Sequence, residues 1–516
     1  MTSPNPSLSL VVDSERVLAP VDLESAEGPL GVALSDASRS AVIRCSEFVR
    51  DLFVSGRPVY GLSTGFGPLV RHGPAADLET HGIGLLNHLR AGQGELLAPR
   101  VVRAMLLARL WSLAKGHSGI SPEALDLLAA SLGTSFAPAV PEWGSVGASG
   151  DLAPLAHAIG ALCGEGEAFC DGERLPALTA LHRAGLRPLR LRGRDALALV
   201  NGTSLSAAAA GLAVNSARAS VELALELTGL LVELLGASSE FTSPELLRLS
   251  GHASAHATAR KLSALLSGST AWTGRPLQEA YTLRCVPQLV GAVEETVGHV
   301  ERVVTAELNG VSDNPVFFPE QGQVVHGGNF FGQQVAFASD SLNLALTQLA
   351  NLAERQLDLL MDPNRNGGRS LMLSTEPGAQ SGLAGVNLAA TSIVASMRRY
   401  AAPASTQSLP TNGHNQDIVP FGTQAALEAL RQSERLALVQ ASLALGLRQA
   451  ASLGGPSPSS AVGSALLGFL CGQVAPVNPD RPLAEAVQRL ARQLPRWRTA
   501  SSTPAAEATH PRNRRS

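Results

Sequence analysis

The sequence predicts a mainly α-helical protein, and three observations support this fold class. Leu and Ala recur every three or four positions over long stretches such as 342–360, where Leu342 and Leu346 begin one apolar face. Alternation of polar and apolar residues, as in strands, is confined to short stretches at 316–318 and 324–325. Hydrophobic residues make up 45% of the 516 residues and charged residues 16%, enough apolar surface for a large core.

The predicted elements follow in order along the chain. Residues 1–15 and 498–516 are rich in small and polar residues, and we expect both ends to be disordered. Between them we expect one folded unit over 16–497, loop-rich over about 16–200 and a helical bundle over about 201–497. The longest predicted helices are 204–235, 342–360, 425–449 and 484–494.

Charge and residue usage argue against several classes of protein. The chain has 40 Lys+Arg and 43 Asp+Glu, a net charge of −3, whereas nucleic-acid-binding proteins usually show a basic excess. The first ten residues lack the order of a signal peptide, and Glu222, Glu226 and Glu233 interrupt the most apolar stretch. Five scattered cysteines without a CxxC pair fit reduced thiols. We therefore expect a cytoplasmic protein without a membrane span.

Two cofactor chemistries are disfavoured by the available residues. Pyridoxal phosphate requires a Schiff-base lysine, and the chain offers only Lys115 and Lys261, neither beside a phosphate-binding loop. His252 and His256 lie four residues apart, but they lack the Glu of a H-E-x-x-H site and an evident third ligand. We expect neither pyridoxal phosphate nor a metal.

The glycine-rich segment 144–151, GSVGASGD, has two interpretations. The simpler one is a turn in which Asp151 is the N-cap of the following helix. In the other, the turn is tight enough for the amide nitrogen of Gly150 to attack the carbonyl carbon of Ala148. Loss of one water from that ring and one from the Ser149 side chain would leave a methylidene, an electrophile made from the chain itself.

The sequence VGASGDLAPLAH at 146–157 resembles the prosthetic-group signature of the aromatic amino acid ammonia-lyase family, which includes histidine, phenylalanine and tyrosine ammonia-lyases and related aminomutases. The resemblance extends over 16–497. It implies a long-helix bundle and the prosthetic group 4-methylideneimidazol-5-one (MIO), formed autocatalytically from Ala148, Ser149 and Gly150. It also implies a homotetramer whose active sites draw residues from three chains.

Two further segments acquire roles from the same resemblance. The segment 59–67 matches the family's mobile inner loop, which implies that Tyr60 is the catalytic base and that Gly67 lies at the substrate. The segment 199–204 matches one whose Asn, here Asn201, hydrogen-bonds near the prosthetic group and the substrate amine. A phenol is a weak base unless positive charge favours its ionised form. The family supplies that charge by gathering helix N-termini at this point.

The remaining site residues are also implied by matching segments. Tyr281 is expected near the substrate amine, and Arg284, three residues later on one face of a helical turn, is suited to both oxygens of the substrate carboxylate. Asn314 resembles the second carboxylate contact. The other wall residues implied are Phe330, against the prosthetic group, with Asn415 and Gln416 at the far wall.

Two positions bear on the substrate. His88-Leu89 falls where tyrosine lyases resemble His-Leu, phenylalanine lyases Phe-Leu and histidine lyases Ser-His. Histidine lyases also carry a carboxylate where this chain has Gln416. His88 can hydrogen-bond a substrate phenol while Leu89 packs beside the ring, and a site built around such a bond discriminates against the analogue that lacks it.

We therefore expect deamination of L-tyrosine to trans-4-hydroxycinnamate and ammonia, with L-phenylalanine as a second substrate. Phenylalanine or histidine ammonia-lyase and an MIO-dependent aromatic 2,3-aminomutase stay open as alternatives within the family. In a different class, the chain would be a non-catalytic helical scaffold with a vestigial loop.

Overall fold

The structure is a computed structural model, which describes residues 9–13, 15–73 and 77–501. Most of these residues are helical, which confirms the predicted fold class. The chain divides into two compact units that are interleaved in sequence. The first unit comprises the residues up to Ser216, Thr296–Ala345 and Tyr400–Gln432, and the second comprises Ala217–Glu295, Leu346–Arg399 and the residues from Ser433 onward.

The helices and strands are numbered in chain order. The helices are α1 (Asp36–Val54), α2 (Leu78–Leu89), α3 (Pro99–Leu113), α4 (Pro122–Leu132), α5 (Leu152–Leu162), α6 (Ala177–Arg183), α7 (Asp195–Val200), α8 (Ser204–Leu235), α9 (Pro244–Arg248), α10 (Ala253–Leu265), α11 (Tyr281–Arg284), α12 (Val286–Leu308), α13 (Gln333–Met361), α14 (Ala384–Tyr400), α15 (Gly422–Ser452), α16 (Ala461–Gln473) and α17 (Ala484–Ser501). The strands are β1 (Ser9–Val12), β2 (Gly31–Leu34), β3 (Gln93–Leu96), β4 (Ala137–Pro138), β5 (Pro141–Trp143), β6 (Glu167–Cys170), β7 (Glu173–Pro176), β8 (Val316–Phe318) and β9 (Gln323–Val325).

The strands form four small sheets in the first unit. Strands β1 and β2 pair in parallel, and β3 pairs antiparallel with β5. Strands β4, β6 and β7 form an antiparallel sheet in that order, and β8 and β9 form a hairpin at the two short stretches where the sequence predicted strands. Because each sheet is short, helices carry most of the core.

The described residues of both segments that were predicted to be disordered contain regular secondary structure. Within the predicted disordered segment 1–15, Ser9–Val12 forms β1, because Leu10 and Val12 alternate onto a buried face against β2. At the other end α17 continues past residue 497 to Ser501. The rest of the two predicted disordered segments, 1–8 with 14 and 502–516, lies outside the described residues.

The unit boundaries differ from the division expected near residue 200. They fall inside α8, α12, α13, α14 and α15, so the chain passes from one unit to the other within continuous helices. A loop or a change of composition does not mark these boundaries, and this is why the sequence pattern suggested one unit.

Among the described residues, no helix combines the length and the apolar character that crossing a membrane requires.

Helix α3 is buried along most of its length in the first unit. Pro99 occupies its first turn, where a missing backbone N–H costs nothing, and the positions from Val101 to Leu113 are buried. A helix that is buried all round has its polar side chains in the interior as well, and here these include Arg103 and Arg109.

Arg103 connects α3 to surrounding loops through all five of its N–H groups. Its guanidinium donates to backbone carbonyl oxygens at 2.6–2.8 Å, and the acceptors are Ala26, Gly28, Leu132, Thr134 and Phe136. Burial lowers the pKa of Arg103 to about 10, so the side chain stays charged at neutral pH. The carbonyls thus take the place of water around a buried cation.

In the second unit, buried side chains play a similar part. The carboxylate of Glu233 on α8 accepts from the backbone N–H groups of Ser459 and Ser460 at 2.8 and 2.7 Å and from the Ser460 hydroxyl at 2.7 Å. Arg369 donates to the carbonyls of Leu234 and Ala450 at 2.7 and 3.0 Å. These contacts hold α8 and the ends of α15 and α16 together inside this unit.

We predict that Arg103→Met lowers the free energy of unfolding by about 3 kcal/mol or more, because the five carbonyls lose their donors in the interior. The matched control is Arg39→Met, which removes an exposed ion pair with Asp126. That change is expected to cost at most about 1 kcal/mol. Urea unfolding followed by circular dichroism measures both variants, and equal losses would contradict the role given to Arg103.

Candidate active site

The Ala148–Gly150 segment forms a tight turn against the start of α8. Gly150 has a φ of +73°, and a Cβ at this position would lie 2.3 Å from the carbonyl carbon and oxygen of Gly202. The backbone N–H of Asp151 donates to the Gly202 carbonyl at 2.7 Å. Only glycine fits at position 150, for reasons of both conformation and space.

Three helices begin around this turn. Helix α5 begins at Leu152, directly after it, and α8 begins at Ser204, two residues after the contact at Gly202. Helix α15 begins at Gly422, and the N–H of Phe421 before it donates to the Val146 carbonyl at 3.1 Å. Because helix N-termini carry partial positive charge, the turn lies in a region that favours developing negative charge.

Asp151 joins the three helix starts. It occupies the N-cap position of α5, but its side chain does not cap that helix, which corrects the simpler interpretation of this segment. Its carboxylate instead accepts from the backbone N–H and hydroxyl of Ser206 at 2.8 and 2.9 Å and from the Thr423 hydroxyl at 2.6 Å. Burial raises the pKa of Asp151, while these hydrogen bonds favour its ionised form.

Two predicted site residues contact Ser149. The side-chain amide of Asn201 donates to the Ser149 carbonyl at 2.9 Å. The side-chain amide of Gln416 donates to the Ser149 hydroxyl at 3.1 Å, and its carbonyl oxygen accepts from the Thr411 hydroxyl at 2.7 Å. In this contact the Gln416 amide is the donor and the Ser149 hydroxyl oxygen is the acceptor, whereas a carboxylate at position 416 could only accept.

The loop that contains Tyr60 is folded back on itself. The Tyr60 hydroxyl oxygen accepts from the backbone N–H of Gly67 at 2.8 Å, and the N–H of Tyr60 lies 3.3 Å from Nε2 of His326. A Cβ at Gly67 would lie 2.9 Å from the Asn412 amide nitrogen and 4.0 Å from that of Asn415. The structure therefore brings Tyr60, Gly67 and Asn415 into one neighbourhood.

Asn314 and Phe330 lie on the segment between α12 and α13. The side-chain oxygen of Asn314 accepts from the N–H of Gly327 at 2.9 Å, which leaves its NH₂ group available to an acceptor. Phe330 is partly buried, two residues before Gly332. A Cβ at Gly332 would lie 3.1 Å from the Thr203 methyl group, so this segment packs against the start of α8.

His88 and Leu89 are the last two residues of α2. His88 is exposed, and its Nδ1 lies 3.4 Å from the Gly84 carbonyl of the same helix. Among the described residues, no hydrogen bond or ring contact joins His88 to the Ala148–Gly150 turn. The role of His88 at a substrate ring therefore stays a prediction.

Tyr281 and Arg284 belong to the second unit. They form the single turn of α11, and the Arg284 guanidinium lies over the Tyr281 ring at 4.5 Å, as their spacing predicted. Tyr281 is 70% exposed. Nε of Arg284 is buried and has no hydrogen-bond partner within the described part of the chain. Their contacts with substrate stay predictions.

The polar side chains that pack around the turn were not predicted from the sequence. The hydroxyls of Ser145 and Thr423 lie 2.8 Å apart, and Thr203 donates its hydroxyl to Glu307, whose pKa is raised by burial. One feature of the sequence could have indicated these side chains. Small polar residues stand in the first turns of helices that are otherwise rich in Ala and Leu, at Ser206 and Thr423.

The two histidines considered as a metal site lie in the second unit. His252 directly precedes α10, and His256 lies in its first turns. Across residues 9–13, 15–73 and 77–501, no three His, Cys, Asp or Glu side chains come together as metal ligands would.

Comparisons with known proteins agree with this geometry. The family model for aromatic amino acid lyases matches residues 22–470. The chain is 40% identical over 466 residues to a histidine ammonia-lyase from Symbiobacterium thermophilum, covering 89% of this chain and 91% of that protein. It is also 40% identical over 524 aligned positions to a tyrosine ammonia-lyase from Cereibacter sphaeroides, covering 96% and 98%.

The solved structure of a tyrosine aminomutase from Streptomyces globisporus has the same fold, with a TM-score of 0.89 at 33% identity over 96% of this chain and 98% of that one. These matches confirm the resemblance drawn from the sequence. The chain belongs to the aromatic amino acid lyase family, a group of carbon–nitrogen lyases.

Proposed function

We propose that Ala148, Ser149 and Gly150 cyclise to MIO and that the protein deaminates L-tyrosine with this group. The observation that carries the proposal is the turn itself, in which Gly150 has a left-handed backbone and meets Gly202 where no Cβ fits. In the cyclisation the Gly150 nitrogen bonds to the Ala148 carbonyl carbon. One water leaves from that carbon and one from the Ser149 side chain. Once formed, the group supplies an electrophilic methylidene towards the substrate amine.

Tyr60 is the proposed base. It removes a proton from the β-carbon of the substrate, and this proton is benzylic and only weakly acidic. Placement of the base and electrostatic support must therefore provide much of the rate. The hydrogen bond from Gly67 to the Tyr60 oxygen supports this role because it holds the phenol oxygen at a defined position in the loop. The bond between the amine nitrogen and the α-carbon then breaks, and ammonia leaves.

Four residues are proposed to bind the carboxylate and the amine of the substrate. Arg284 and Asn314 bind the carboxylate, since Arg284 has an unpartnered Nε within the described residues and Asn314 has an available NH₂ group. Tyr281 and Asn201 orient the amine. The amide of Asn201 already contacts the Ser149 carbonyl, so it lies beside the group that the amine must reach.

The remaining predicted site residues are proposed to contact the aromatic ring of the substrate. His88 binds the phenol hydroxyl and Leu89 packs beside the ring, with the other contacts from Phe330, Asn415 and Gln416. The neutral amide at Gln416 supports an aromatic substrate without an imidazole, because histidine lyases carry a carboxylate at this position. We propose L-phenylalanine as a second substrate, 4-hydroxycinnamate as the phenylpropanoid product, and a cytoplasmic homotetramer as the active form.

An aromatic 2,3-aminomutase is the second candidate. The observation in its favour is the similarity to the tyrosine aminomutase of known structure. A mutase uses the same residues and returns ammonia to the β-carbon before the product leaves. Formation from L-tyrosine of the isomer with the amino group on the β-carbon separates the two activities, because a lyase yields only 4-hydroxycinnamate and ammonia.

We predict that the peptide containing Ala148–Gly150 has a mass two waters below that of its sequence. In Gly150→Ala the peptide is expected to keep its full mass, because the new Cβ would collide with Gly202. Ser149→Ala, which removes only a hydroxyl, loses the source of the second water. The control is Gly468→Ala in α16, where a Cβ meets nothing within 4 Å. A wild-type peptide at full mass would refute MIO formation.

We also predict that the wild-type protein converts L-tyrosine to 4-hydroxycinnamate, which ultraviolet absorbance detects. In His88→Phe the ratio of kcat/KM for L-tyrosine over L-phenylalanine is expected to fall at least ~10-fold, because a phenol beside Phe has no hydrogen-bond partner. His182→Phe, at an exposed position near the end of α6, is the matched control. Urocanate from L-histidine, no product from any of the three amino acids, or an unchanged ratio would each count against the substrate assignment.

A further inference from the structure

His81 contacts the loop of Tyr60 in two ways. Its imidazole is stacked on the ring of Phe66, with centroids 4.4 Å apart and planes 12° apart. Its Nε2 lies 3.2 Å from the carbonyl oxygen of Thr64. Because a carbonyl can only accept, the hydrogen is on Nε2 and the ring donates. One side chain therefore restrains both the backbone and a side chain of this loop.

The restraint at Phe66 continues to Tyr60. The rings of Phe66 and Tyr60 meet edge to face, with centroids 6.4 Å apart and planes at 84°. The next residue, Gly67, donates its N–H to the Tyr60 hydroxyl oxygen. His81, Phe66 and Tyr60 thus form a continuous series of contacts that ends at the phenol.

The helix that supplies His81 is itself firmly placed. Asp77 caps α2 by accepting from the N–H and the hydroxyl of Thr80 at 2.7 and 2.8 Å. One residue after His81, a Cβ at Gly82 would lie 3.0 Å from the Cβ of Ala196 on α7, so the two helices are in close contact. His81 is therefore a fixed point against which a loop can be ordered.

Helix α2 also ends in His88 and Leu89, to which the substrate ring is assigned. The helix thus contributes the ring contacts at its end, and through His81 it orders the loop of the base at its start. A change in the orientation of α2 relative to that loop would alter the distance between the base and the substrate β-carbon. Displacements of about 1 Å are known to cost ~100-fold in rate.

We propose that His81 is a positioning residue that holds the loop of Tyr60 in its reactive conformation. The proposal rests on the proposed function, because it assumes that Tyr60 is the base. The proposal does not require His81 to touch substrate, because His81 acts on the loop through Thr64 and Phe66.

The first test separates turnover from binding. His81→Ala is expected to lower kcat for L-tyrosine ~10- to 100-fold and to change KM less than ~3-fold. The reason is that the substitution releases the loop that carries Tyr60 and leaves the contacts to the substrate ring in place. His81→Phe retains a ring to stack on Phe66, and His81→Gln retains a donor for Thr64. Each is expected to recover part of the lost kcat. His182→Ala is the control and should match the wild type.

The second test does not depend on activity. Amide hydrogen exchange in His81→Ala should be at least ~10-fold faster at Gly65 and Gly67, whose N–H groups bond to His72 and Tyr60, and unchanged along α2. Wild-type kcat and exchange in His81→Ala would overturn the proposal, as would faster exchange throughout α2 together with a lower melting temperature. If the wild type deaminates none of the three amino acids, the proposed function fails, and exchange alone still decides whether His81 orders the loop.

Discussion

The close approach of two backbone segments, at Gly150 and Gly202, is the constraint on which the candidate active site depends. A side chain on either residue would collide: at Gly202 a Cβ would lie 2.2 Å from the Arg109 guanidinium and 2.6 Å from the Ser312 carbonyl oxygen. Two glycines therefore let the turn reach the start of α8. The same approach directs the N-terminus of α8 at the turn, and Asp151 holds the starts of α5 and α15 beside it.

Three buried charged side chains, Arg194, Asp313 and Arg109, stabilise the segments around this turn. Arg194 makes two hydrogen bonds to the Asp313 carboxylate, at 2.9 and 3.1 Å, and one to the Asn314 carbonyl at 2.8 Å. Arg109, on α3, donates to the Ala198 carbonyl in α7 at 3.0 Å. These contacts hold the segment of Asn314 beside Arg194 at the start of α7, and they hold α7, which ends directly before Asn201, against α3. Because the groups are buried and mutually paired, loss of one partner would leave another charge without compensation.

Helices and chemistry-bearing segments were predictable to different degrees. The helix predicted over 204–235 has the same bounds as α8. A long Ala- and Leu-rich run with apolar residues at helical spacing favours a helix over every other regular structure. The resemblance placed Asn201 near the prosthetic group and Gln416 at the far wall of the site, and in the structure both contact Ser149. The orientation of the Asp151 side chain was not predictable, because the residues that donate to it, Ser206 and Thr423, are 55 and 272 residues away along the chain.

By itself, the sequence determined the fold class, the family and the residues that can form an electrophile, because helical period, glycine positions and motif order are local properties of the chain. Only the tertiary structure decided that β1 is ordered, that the unit boundaries fall within helices, and that Asp151 joins three helix starts instead of capping one. It also decided that His81 stacks on Phe66. These features depend on contacts between residues distant in sequence, which a local pattern does not contain.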